Sequence, residues 1–74
     1  MFYNRIKFLR KQKGYTQKYI ATILNVSQAT YSKYERGMIA VPVFYIKILS
    51  KIYNTSTDYL LGLTDDPKPH PPKK

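Results

Sequence analysis

Apolar residues in this chain recur at helical spacing and are cut into short runs by stop signals. Ile6, Leu9 and Arg10 share one face at i, i+3 and i+4, with Phe2 above them, and predict a helix from about Phe2 to Lys13. Gly14 follows as a stop, and Lys11 and Lys13 suit the negative end of the helix dipole. Thr16 is placed to cap a second helix whose inner face is Ile20, Ala21 and Leu24. Asn25 falls where the chain needs a left-handed residue, and Val26 plugs the turn. Ser27 is placed to cap a third helix that ends at Gly37. Pro42 suits the opening of a fourth helix, where its missing N–H costs nothing, and that helix runs to Tyr53. Asn54 closes it. Ser56 caps a short fifth helix through Leu61, with Asp58 in its first turn and Gly62 after it. No strand pattern and no internal repeat competes, so the pattern predicts an all-α fold of five short helices.

The 74 residues suffice for one small domain, expected to span 1–64. From Asp65 the sequence reads DDPKPHPPKK, with four prolines and no aliphatic residue. Such a segment has nothing to pack and is expected to form a disordered or polyproline-like tail over 65–74. There is no cysteine, which excludes disulfides and thiolate metal sites. No apolar run reaches transmembrane length, and the alternating basic and apolar N-terminus is unlike a signal peptide. The expectation is a cytoplasmic protein.

The net charge is +9, and its distribution is informative. Residues 1–54 hold ten Lys or Arg and one acid, Glu35, whereas 55–74 hold three Lys and three Asp. The basic excess therefore belongs to the helical body. Such a body suits a polyanion, with nucleic acid ahead of an anionic membrane surface. Short, capped, separated helices do not match a membrane-surface helix.

The stretch 16–37, TQKYIATILNVSQATYSKYERG, combines these signals. It holds two capped helices around Asn25-Val26, an arrangement that lets the second helix enter a DNA groove while the first braces it. Gln28 sits at the leading tip, where an amide can bond adenine N6 and N7 together. Ala29 offers a methyl to thymine, and Lys33 lies one turn further along, within reach of guanine or a phosphate. Tyr31 and Tyr34 fall on the opposite face and are expected to pack inward. Tyr3, Tyr15, Tyr19 and Tyr45 fit packing better than base stacking. His70 stands alone in the tail, and no metal site, catalytic set, cofactor or small-molecule ligand is expected, so the chain reads as a non-enzyme.

The elements RIKFLRKQKGYTQ, IATILNVSQATYSKYERG and STDYLLG resemble the Cro/cI-type, or xenobiotic-response-element, helix-turn-helix family over residues 5–62. The resemblance implies a compact lambda-repressor-like DNA-binding domain and a transcription regulator, most simply a repressor. By position it implies base contacts from Gln28, Ala29 and Lys33. Gln17 and Arg36 resemble phosphate anchors, with Thr30 and Ser32 nearby. Arg10 and Glu35 resemble an ion pair tying the first helix to the third. The alternative is a protein-binding module of the same fold, such as an antitoxin.

Two features depart from that pattern. The loop after the third helix, Met38 to Pro42, carries no charge, where relatives are often basic. The fourth helix also has two apolar stripes. Val43, Ile46, Leu49, Ser50 and Tyr53 make the expected core stripe, while Tyr45, Ile48 and Ile52 are expected to face solvent. This second stripe, with Leu63, is the expected interface of a two-fold homodimer on a palindromic operator. Its recognition helices would lie about 34 Å apart.

Overall fold

Three hydroxyl caps start the helices where the pattern places them. Thr16 Oγ1 accepts from Tyr19 N, Ser27 Oγ from Thr30 N and Ser56 Oγ from Tyr59 N, each at 3.0 Å. Each satisfies a backbone donor that the helix itself leaves unpaired. A computed structural model describes residues 4–66 and residue 68. Its helices are α1 (Asn4–Gln12), α2 (Gln17–Leu24), α3 (Gln28–Glu35), α4 (Val43–Ile52) and α5 (Thr57–Leu60). Among the described residues every regular element is helical. Phe2 and Tyr3, and the tail from Pro69 on, lie outside the described residues. Asn25 ends α2 at φ 59° and Asn54 follows α4 at φ 49°, two left-handed positions filled by the residue after glycine that tolerates them best. Pro42 stands just before α4 rather than inside it. Its carbonyl accepts from Tyr45 N at 2.9 Å and Ile46 N at 3.1 Å.

The core gathers one face of each helix. Ile6 and Leu9 meet Ile20, Ala21 and Leu24, with Tyr31 and Tyr34 of α3 and Ile46 and Leu49 of α4. Tyr53, Leu60 and Val41 close it from the chain ends of α4 and α5 and from the loop. Ile6, Ile20, Tyr31 and Leu49 are fully buried.

The orientation of α4 differs from the pattern's expectation. Val43, placed in the core stripe, is 71 % exposed. Tyr45, Ile48 and Ile52, expected to face solvent, are half-buried and pack against the core. The reason is geometric. The buried arc centres on Leu49, Ile46 and Tyr53, and at 3.6 residues per turn Tyr45 and Ile52 flank that arc. Val43 is offset from Ile46 by the same three residues as Ile52 from Leu49, and it differs in being the first residue of α4, at the open end of the helix. Tyr19 also departs from the expected packing: it is half-exposed, its ring centroid 4.9 Å from that of Tyr15.

Arg5 closes the fold from its first helix to its last residues. Nη1 donates to Tyr59 O at 2.8 Å and to Thr64 O, and Nη2 donates to Asp65 Oδ1 at 2.8 Å. The guanidinium also lies 4.2 Å from the centroid of the Tyr59 ring, a cation–π distance. The exposed Asp65 pair is worth little by itself, but the two backbone acceptors place the chain's exit from α5 against α1. Asp65, the first residue of the expected tail, meets Arg5 through a fully exposed side chain.

Candidate nucleic-acid interface

The helix pair α2–α3 is held by its short turn and by a polar network at the far end of α3. Arg10 donates from Nε to Glu35 Oε2 at 2.6 Å and from Nη2 to Oε1 at 3.1 Å. Its third nitrogen, Nη1, donates to Tyr15 O at 2.9 Å, on the connection between α1 and α2. Gln17, the first residue of α2, donates from Nε2 to Glu35 Oε1 at 3.1 Å. One carboxylate therefore joins α1, α2 and α3. Arg10 and Glu35 are both buried, so their mutual attraction is little screened, and a two-pronged geometry offsets their desolvation.

Burial pushes the Glu35 carboxyl up, but the bonds from Arg10 and Gln17 and the nearby Tyr31 hydroxyl outweigh it and hold Glu35 below the ordinary carboxylate value. The hydrogen bond to Glu35 raises Arg10 in turn, against the opposing effect of burial. Tyr31 and Tyr53 are pushed up, first by burial and then by Glu35 beside them. Their hydroxyls are buried without a hydrogen-bond partner among the described residues.

With Tyr31, Tyr34 and Glu35 buried, α3 turns Gln28, Ala29 and Lys33 to solvent. These three share one arc of the helix, with half-buried Ser32 within it. Thr30 lies on the flank, half-buried, its Oγ1 accepting from Ser27 Oγ at 2.9 Å. Arg36 follows the last turn, exposed, with Nε donating to Ser32 O at 3.3 Å. Its Nη1 and Nη2 have no partner among the described residues. Gln17 is half-buried at the start of α2, and Lys18 beside it is exposed. The expected base-reading residues therefore share one accessible face, while the expected phosphate residues are spread out: Ser32 within that arc, Thr30 on its flank, Arg36 after the last turn and Gln17 at the opening of α2.

Two parts of the site were not anticipated from sequence. The bond from Gln17 to Glu35 was missed, although a lone acid in a basic segment already pointed to several donors converging on it. The exposed apolar segment Met38, Ile39, Val43 and Phe44, just past α3, was anticipated only as an uncharged loop. Among the described residues no cluster of His, Cys, Asp or Glu is suited to a metal ion.

A family model described as helix-turn-helix matches residues 6–60, the span from the first core isoleucine to the last core leucine. The chain belongs to the Cro/cI-type helix-turn-helix family. Three Bacillus subtilis proteins illustrate the relationship. The chain is 35% identical over its whole length to YobD, an uncharacterized HTH-type transcriptional regulator, covering 66% of it. It is 45% identical over 78% of its length to the HTH-type transcriptional regulator ImmR, covering 46% of that protein. It is 39% identical over 82% of its length to YonR, an SPbeta prophage-derived uncharacterized HTH-type transcriptional regulator, covering 56%. The chain thus spans about half to two thirds of the length of these relatives. No solved structure matches it significantly. No helix among the described residues is long and apolar enough to cross a membrane.

Proposed function

We propose that this chain is a sequence-specific DNA-binding transcription regulator that represses by occupying a promoter. The observation that carries the reading is the exposed arc of α3, with Gln28, Ala29 and Lys33 outward on a helix whose other face is locked into the core. A net charge of +9 supplies the attraction to a polyanion, and the family and its HTH-type regulator relatives support the same reading.

In this reading Gln28, Ala29 and Lys33 contact base edges in the major groove, and Gln17, Thr30, Ser32 and Arg36 hold phosphates. Two copies bind a palindromic site as a homodimer in the cytoplasm. Leu63 remains available for that contact, being 70 % exposed, whereas Tyr45, Ile48 and Ile52 offer only their outer edges. Met38, Ile39, Val43 and Phe44 add the apolar surface that the half-buried stripe lacks.

In-vitro selection from a random duplex library, followed by gel shifts across salt concentrations, tests the function. A regulator selects one motif and prefers it to random DNA by a factor on the order of 10³ or more. Equal weak binding to every sequence sinks the proposal. Within the selected site, Gln28→Ala is expected to relax preference at one base pair, at a cost of about 1–3 kcal/mol.

A further inference from the structure

We infer that Glu35, beyond pairing with Arg10, is a positioning residue for DNA binding that acts through Gln17. The inference rests on the DNA-binding reading above. A glutamine amide has two ends, and the protein fixes which one faces inward. The Glu35 carboxylate accepts only, so the end of Gln17 against it at 3.1 Å must be Nε2. The carboxylate is itself immobile, held by Arg10 at 2.6 Å and 3.1 Å and buried. One Gln17 N–H is thereby spent on Glu35. The second N–H has no partner among the described residues, on a side chain that is half-exposed at the opening of α2. A neutral donor pinned by a buried anion can serve a second anion outside without carrying a charge of its own. An unpinned amide would first have to give up its side-chain rotamer freedom and then turn nitrogen, not oxygen, toward the phosphate, together worth about tenfold in affinity.

This makes an expectation opposite to simple electrostatics. Glu35→Gln removes an acid from a DNA-binding body and raises its net charge by one, which by itself strengthens binding. The positioning role requires weaker binding, by about tenfold, and to every sequence alike, because a phosphate contact carries no base information. The decisive measurement is a double-mutant cycle in the full chain. Glu35→Gln and Gln17→Ala are compared singly and together on the duplex selected from a random library and on a random 30-mer duplex, with folding followed by circular dichroism. Acting through Gln17, Glu35→Gln weakens binding in the Gln17 chain and has no further weakening effect in the Gln17→Ala chain. An equal loss in both backgrounds, or tighter binding in the single mutant, overturns the inference. A wild-type chain that binds neither duplex overturns the DNA-binding reading itself. The unmodified protein supplies a check that needs no folded mutant. In ¹⁵N-labelled wild type, one Gln17 amide proton is protected from exchange and the other shifts when the duplex is added. Two equivalent, freely exchanging protons sink the inference.

Discussion

Around Glu35 a full charge pair lies buried among tyrosines, whereas a few residues further on Val43 and Phe44 hold large apolar side chains in solvent, 71 % and 68 % exposed. The first closes α3 and the second opens α4, and each inverts the usual division of polar outside and apolar inside. At the first, three helices converge on one carboxylate, so a single anion sets their mutual register. Well-packed apolar residues could match its stability, but would not orient Gln17. At the second, the only ring that Phe44 meets among the described residues is that of the half-buried Tyr45 beside it, at 6.2 Å, and substitution there is expected to alter the surface more than the fold. The contrast separates what holds α3 in place from what the protein shows next to α3.

The largest effect is expected from breaking the buried pair. Arg10→Ala leaves Glu35 buried without its main partner and should cost about 3–5 kcal/mol in denaturant unfolding. A loss below about 1 kcal/mol would mean the region behaves like an exposed ion pair. Next comes pH. Because Glu35 titrates below the ordinary 4.5 in the folded chain, the unfolded chain takes up the proton first as pH falls. That contribution to stability is full above the unfolded value and is lost as pH falls through the folded one. At the alkaline end Tyr31 and Tyr53 titrate above the ordinary 10.0 in the folded chain, so stability falls again as pH rises past that value. Thermal melts across pH should show both declines, and Arg10→Ala should flatten the acid one.

Removing the α3 cap by Ser27→Ala should cost about 1 kcal/mol in the same unfolding assay, since Thr30 N loses its acceptor. The smallest effect on stability is expected in the second region. Val43→Lys with Phe44→Ser should change unfolding free energy by no more than about 0.5 kcal/mol, because both side chains lie in solvent. Sedimentation of the same variant at micromolar concentration sharpens the comparison. If these side chains join two copies, the wild type sediments as a dimer and the variant as a monomer. A destabilisation of several kcal/mol would show that the region is core after all.

The local features of this fold were readable in sequence because each is decided within a few residues. Thr16, Ser27 and Ser56 cap through their own third neighbour, and Asn25 and Asn54 adopt left-handed backbone where a helix stops. Arg10 on an apolar helix face, with Glu35 the only acid in 1–54, already suggested that the two meet. On α4 the core positions Ile46, Leu49 and Tyr53 are buried as their spacing predicts, but Val43 and the second stripe differ for a physical reason. A helix that is apolar almost all round carries no periodic mark of which side is covered, and the neighbours that cover it are set by packing.

The sequence by itself determined five short helices, three of them opened by hydroxyl caps, the basic body and the residues of the outward face of α3, because these follow from spacing, capping and charge. Only the tertiary structure decided that Gln17 joins Glu35, that Arg5 holds the chain beyond α5, and that Val43 and not Tyr45 faces solvent. Those contacts join residues 18 and 54 to 60 positions apart, or depend on how one helix is rotated against others. Local pattern carries no information about such pairings, since they form only when the whole core closes.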